Sequence, residues 1–324
     1  MNLVARFDLD KTYLRSEFAT VRDLWKSATE RADQKRAVPG ATELLLELTR
    51  SRAYVHVLSG SPKQLRTSIR LRLMLDGVSP DRLTLKPNLK NLVRLRFRSL
   101  RGQLGYKLLA LLSASDEEAR AGRQAPDLEL LVGDDSESDA FIYSLYADIL
   151  EGTIALDGLR DILEAGELYP DEREQILELA AQRYGAGKPQ AALILIHLAN
   201  QSAPSEFAMF GPRLFAFFNY AQAAFILLER GVLDVAATLR VTRSLTQLHR
   251  FDDSALSRSY WDLARRGLVT ARSLEALKDT SARPDWVDEI EELLKVEPFG
   301  REVRRFDANY KLLAGRHRTR QNRA

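Results

Sequence analysis

Asp8 and Asp10 stand two residues apart just past the apolar run Leu3-Val4-Ala5, and Thr12 follows two residues later. Two carboxylates and a hydroxyl at the end of a short buried strand suit metal-dependent phosphoryl transfer. That chemistry needs an in-line nucleophile and neutralisation of the charge on the transferring oxygens. Later positions can supply what the pair lacks. Ser59-Gly60 closes a second apolar run, Lys107 lies in a leucine-rich helical pattern, and Gly133-Asp134-Asp135 closes the run Leu128 to Val132, with Asp139 soon after. Taken singly, each has a plain reading: Asp-x-Asp as a turn or helix start, Gly-Asp-Asp as a solvated loop, Ser59 as a cap, Lys107 as a surface lysine. Taken in order, at successive strand ends, they argue for one site.

An open α/β sheet brings such segments together, because its ligands sit outside the carboxyl ends of the strands. Strands are expected at 3–7, 53–58, 83–86 and 128–132, with a last one within 149–154. Helices are expected at 41–49, at 62–75 with Ser61 as N-cap and Pro62 at the first helical position, at 104–112 and from Phe141 to Ala147. Residues 13–35 read as exposed helices over the strand end, a small lid, and 113–123 as a loop or frayed helix end.

From about Leu159 the β signals vanish and 3.6-type spacing takes over. The expected organisation is therefore an open parallel Rossmann-like domain over 1–157, an all-α domain over 158–315 and a basic disordered tail over 316–324. Helix–glycine–helix patterns surround Gly187, Gly231 and Gly267, spaced by 44 and 36 residues. A degenerate stack of helical hairpins and ordinary helix C-caps explain that irregular spacing equally well. Phe215, Phe217, Phe218, Tyr220 and Phe225 read as core packing. The helical half is expected to be an interaction, regulatory or oligomerisation module, binding protein or self-associating.

Composition narrows the class. At 324 residues with 29% charged side chains and no cysteine, the chain suits a cytoplasmic globular protein without disulfides or thiolate sites. Its most apolar stretch, Leu214 to Leu228, is broken by Asn219 and Gln222 and is too short for a membrane span. His56, His197, His249 and His317 show no zinc-type spacing. From Lys63 to Lys107 there are twelve Lys or Arg against Asp76 and Asp81, a local balance of +10 that leaves −7 on the rest of a chain of net charge +3. Such clustering attracts a polyanion or an anionic surface, with peripheral membrane association through residues 63–107 as one outcome. Arg94, Arg96, Arg98 and Arg101 are its densest part.

The order Phe7-Asp8-Leu9-Asp10-Lys11-Thr12, then Ser59, then Lys107, then Gly133-Asp134 with Asp139 resembles the four motifs of the haloacid dehalogenase superfamily. The resemblance covers about residues 3–155. Within it, Leu58 to Leu65, Leu83 to Lys86 and Leu131 to Tyr143 are similar to the catalytic domain of the actin-patch type of phosphatidate phosphatases. The resemblance implies Asp8 as a nucleophile forming an aspartyl-phosphate and Asp10 as general acid and base. It implies Mg²⁺ held by Asp8, the backbone carbonyl of Asp10, and Asp134. Asp139 would hold a metal-bound water or orient Lys107, with Asp135 sharing that duty. Ser59 and Gly60 with their backbone N–H groups would hold the phosphate, Lys107 would offset charge on nucleophile and substrate, and Thr12 would buttress Asp8. Asp10 points away from dehalogenation and ion pumping. The expected function is Mg²⁺-dependent hydrolysis of a phosphate monoester, on an anionic lipid such as phosphatidate ahead of a nucleic-acid terminal phosphate. A scaffold or signalling module working through its helical half is the alternative of another class.

Overall fold

A computed structural model describes residues 1–15, 37–86, 100–135, 138–185, 190–301 and 308–321. Six strands, Leu3–Asp8 (β1), Tyr54–Pro62 (β2), Arg82–Lys86 (β3), Leu128–Asp134 (β4), Ala191–His197 (β5) and Leu214–Phe217 (β6), form one sheet. All its pairings are parallel, in the order β3-β2-β1-β4-β5-β6. Parallel strands joined by crossovers are covered on both faces, and β1 is buried along its whole length.

Alternation along the strands sorts the core into two layers. Ala5, Phe7, Val55, Val57, Leu195, Phe215 and Phe217 pack with helices Ala41–Arg50 (α1) and Arg66–Leu75 (α2) on one face. Leu58, Leu131, Ile194 and Ile196 pack on the other with Leu100–Arg120 (α3), Asp139–Glu151 (α4), Leu156–Ala165 (α5) and Pro170–Gly185 (α6). The first layer is extended by Tyr220–Glu229 (α7), Val235–His249 (α8), Asp253–Arg265 (α9), Ala271–Lys278 (α10) and Trp286–Val296 (α11); Tyr310–Gln321 (α12) joins the second. Gly40 lets α1 meet α7: at its φ of 81° an added Cβ would stand 2.7 Å from Tyr220 Cβ.

Arg6 places a guanidinium inside the second layer. Its Nε donates to Glu129 Oε2 at 2.6 Å, and its Nη1 and Nη2 each donate to Glu118 at 3.1 Å. Nη1 also lies 3.0 Å from His56 Nδ1, and His56 Nε2 lies 2.9 Å from Thr84 Oγ1. A guanidinium only donates, so Nδ1 is the acceptor and Nε2 carries the proton toward Thr84. Tyr146 adds its hydroxyl to Glu129 Oε2 at 3.1 Å. Burial and the charges of Arg6 and Arg82 hold His56 well below the usual imidazole range.

The strand order reverses between β1 and β4, and the crevice outside their carboxyl ends is where such sheets bind ligands. Asp8 ends β1 and Asp134 ends β4.

The second half departs from the helical reading: β5 and β6 extend the first half's sheet, past the boundary expected at residue 157. A short apolar run such as Ala191 to Ile196 reads equally well as helix or buried strand, and only its neighbour β4 decides. The helix–glycine–helix pattern holds at Gly231 and Gly267, each at φ 69° after α7 and α9; Gly187 lies outside the described residues, and the pattern's Ala192 belongs to β5. The strand expected within 149–154 is the end of α4, capped by Gly152 at φ 70°. Of the two readings of 113–123, loop or frayed helix end, the helical one holds for most of the segment, since α3 continues to Arg120. Pro62 ends β2, and Lys63–Leu65 make one 3₁₀ turn before α2. Helix α12 runs to Gln321 through most of the expected tail. The lid at 13–35, beyond Arg15, and Arg94, Arg96 and Arg98 lie outside the described residues. No helix among the described residues is long and apolar enough to cross a membrane.

Candidate active site

Phe7 faces the first layer, so Asp8 turns toward α3 and α4, and it is 1% exposed. Beyond it the chain doubles back: Lys11 takes a left-handed φ of 57°, its N–H reaches Leu14 O at 2.8 Å, and Tyr13 N–H reaches Leu9 O at 3.0 Å. A lysine there carries a strain of about 1 kcal/mol or more, held by the surrounding turn. The turn brings Thr12 Oγ1 to 3.5 Å from Asp8 Oδ2 and 3.4 Å from Asp134 Oδ2, so one hydroxyl links the two strand ends.

Lys107, 1% exposed on α3, sets Nζ 3.0 Å from Asp8 Oδ1 and 2.5 Å from Asp139 Oδ1. The second oxygen of Asp139 accepts the Asp134 N–H at 3.3 Å. Asp139 thus orients both the lysine and the end of β4 from the first turn of α4. Gly133 makes this approach possible: an added Cβ would lie 2.4 Å from Asp139 Oδ2.

Asp10 points elsewhere. Its Oδ2 accepts from Ser59 Oγ at 3.0 Å and Ser61 Oγ at 3.3 Å, while Ser59 Oγ accepts the Ser61 N–H at 2.9 Å. The register of β2 on β3 shifts between Ser59 and Pro62, so Gly60 and Ser61 bulge from the ladder and present the loop to the crevice. A Cβ at Gly60 would meet nothing within 4 Å, which leaves open space beside the loop. Tyr106, next to Lys107, donates its hydroxyl to Ser59 O at 2.7 Å. Burial first, then Asp8 and Asp10 against the opposing Lys107, push this phenol up, so it stays a donor.

The strands of the second half close the site from the other side. Asp135 accepts N–H groups of Asn200 at 2.8 Å and Ser202 at 3.1 Å, so it ties down the loop after β5. His197 Nδ1 lies 3.0 Å from Lys11 O and Tyr220 OH donates to Thr12 O at 2.7 Å, two contacts that hold the turn after β1. Burial keeps the imidazole low and the Tyr220 phenol high, so both act as neutral donors to those carbonyls.

Asp8, Asp134 and Asp139 are all buried, with one oxygen from each within 4.8 Å of the others. Lys107 pairs with two of these three carboxylates, Asp8 and Asp139. Carboxylate oxygens converging in this way are the donor type that a hard divalent cation takes, so the set could hold such an ion. Asp139 holds Lys107 and the Asp134 N–H, while Asp8 and Asp134 stand at the two strand ends that Thr12 faces. The Asp10 side chain is not among these three carboxylates.

Asp8, Lys107, Asp134, Asp139 and Thr12 therefore meet in one cluster, with Asp10, Ser59 and Gly60 on its rim. Ser61, Tyr106, His197 and Tyr220 were not among the expected site residues. Ser61 and Tyr106 adjoin motif residues and could have been noticed there. His197 and Tyr220 lie far along the chain and carry no local signal. Comparisons with family models, curated proteins and solved structures find no match to this chain.

Proposed function

We propose that the chain is a Mg²⁺-dependent phosphatase of the haloacid dehalogenase type, hydrolysing a phosphate monoester through an aspartyl-phosphate on Asp8. One observation carries the reading: Lys107 holds Asp8 and Asp139 while Thr12 links Asp8 to Asp134, across the crevice where the strand order reverses. Asp8 and Asp134, with the Asp10 carbonyl, are the residues to hold Mg²⁺, which when bound neutralises charge on the phosphoryl oxygens.

In the first step an Asp8 oxygen forms a bond to phosphorus as the ester P–O bond breaks, and Asp10 gives its proton to the departing alkoxide. In the second, water attacks phosphorus, its proton passes to Asp10, and the Asp8–phosphorus bond breaks to release phosphate and free Asp8. Lys107, 3.0 Å from Asp8 Oδ1, keeps that carboxylate aimed. Ser59 must change partner during this cycle: its proton is committed to Asp10, so when it donates to a phosphate oxygen Ser61 keeps its own hold on Asp10. Hydrolysis of an aryl phosphate with and without Mg²⁺ tests the reading. Activity should need the metal and vanish in Asp8→Asn; metal-independent activity surviving that change overturns it.

The +10 balance from Lys63 to Lys107 supports an anionic, surface-borne substrate, a lipid such as phosphatidate ahead of a nucleic-acid end. Turnover of phosphatidate in mixed micelles against a 5′-phosphorylated oligonucleotide separates the two. A scaffold role gains only if no phosphate ester in a broad panel is turned over and the helical half captures a stable partner.

A further inference from the structure

Helix α2 buries Ile69 and Leu73 but leaves Leu71 43%, Met74 67% and Leu75 58% exposed. These three share one face, being spaced i, i+3, i+4. The other exposed large hydrophobic side chains among the described residues, Met1, Tyr169, Leu248, Val296 and Leu312, are scattered along the chain. A cluster on one turn calls for an occupant in a way that single exposed residues do not.

The charge around the patch says what kind. From Lys63 to Leu75 there are four cations and no acid. Two are engaged locally: Arg66 donates to Leu83 O at 3.2 Å, and Arg72 pairs with Asp76, its Nε at 3.0 Å. Lys63 and Arg70 are exposed, and Arg70 is one turn before Met74. Flexible aliphatic chains flanked by snorkelling cations match the interfacial pattern of a helix lying on an anionic bilayer. Protein hot spots are rich in Trp and Tyr and poor in Leu, and the patch holds no aromatic side chain. The helix starts next to the Ser59–Ser61 loop and runs about 15 Å away from it, so the patch covers the half of α2 farther from that loop.

We propose that the outer face of α2, Leu71, Met74 and Leu75 with Lys63 and Arg70, docks this protein on an anionic lipid bilayer. The proposal rests on the anionic-surface reading and not on the chemistry of Asp8. The full chain is sedimented with vesicles of phosphatidylcholine alone or with added phosphatidylserine, at low and high salt. Binding should need phosphatidylserine and weaken with salt. It should fall about tenfold or more in Leu71→Ser/Met74→Ser/Leu75→Ser, and Lys63→Gln/Arg70→Gln should lose most of the salt-dependent part. Both variants should keep the parent's rate on a soluble aryl phosphate, and Asp8→Asn should bind vesicles like the parent, so the two readings fail separately. The proposal is overturned if no vesicle is bound, if the triple variant binds unchanged, or if Asp8→Asn abolishes binding. Sedimentation velocity showing a dimer that the triple variant dissolves also overturns it, because a second copy then covers the face.

Discussion

Tyr220 gives its hydroxyl to the backbone carbonyl of Thr12 at 2.7 Å, across 208 positions of sequence. Thr12 in turn faces both Asp8 and Asp134. A helix of the second half thus braces the turn that aligns the two strand-end carboxylates. Tyr220→Phe keeps the ring packing on His197 and Phe217 but leaves a buried carbonyl without this donor. It should cost about 1 kcal/mol in urea unfolding, and a several-fold loss of kcat with little change in KM should accompany it.

Ser61 should matter to turnover more than to binding. Its hydroxyl holds Asp10 when Ser59 turns to the phosphate. In Ser61→Ala, kcat should drop about tenfold, the scale of one hydrogen bond to a charged group, with KM nearly unchanged. Ser61→Thr should restore most of the rate. A purely structural role would instead lower stability and leave kcat per folded molecule alone.

Adjacent aspartates should behave differently toward Mg²⁺. Ligand binding to the folded state raises its stability with concentration, so Mg²⁺ should raise Tm in the parent protein. Asp134→Asn should remove that rise. Asp135→Asn should lower Tm through the freed loop at Asn200 and Ser202 yet keep the Mg²⁺ response. Equal responses in the two variants would falsify the ligand assignment.

The buried imidazole of His56 sets a pH dependence of stability. Its folded-state pKa lies well below the value of 6.5 that it regains on unfolding. Between those values the unfolded chain binds the extra proton, so stability falls as pH drops below 6.5 and is level above it. One such group contributes a slope of up to about 1.4 kcal/mol per pH unit. His197, also lowered by burial, adds a second share in the same direction. Urea midpoints measured downward from neutral pH should therefore fall less steeply in His56→Asn, whose amide oxygen can still accept from Arg6.

The motif residues were legible because each sits at a strand end whose apolar run announces it: Leu3 to Phe7 before Asp8, Leu128 to Val132 before Asp134. Lys107 was legible by its leucine-rich helix. The two outer strands were not, since Ala191 to Ile196 and Leu214 to Phe217 are apolar runs whose strand character comes from pairing with β4 and with each other. The hold of Asp135 on Asn200 and Ser202 was not legible either, because those partners lie 65 and 67 positions further along. The exposed face of α2 was hidden too, because Leu71, Met74 and Leu75 look like core residues in a list of types.

What the sequence by itself determined is therefore local and chemical: which carboxylates, hydroxyls and lysine are present, and that they follow buried strands in an α/β order. Residue type and nearest-neighbour pattern suffice for that. The tertiary structure alone decided that Lys107 spans Asp8 and Asp139, that Ser59 and Ser61 share Asp10, and that β5, β6 and α7 complete the first half's sheet and brace its site. Those are distances between segments far apart in the chain. They are set by how the two layers pack on one sheet, which no single stretch of sequence encodes.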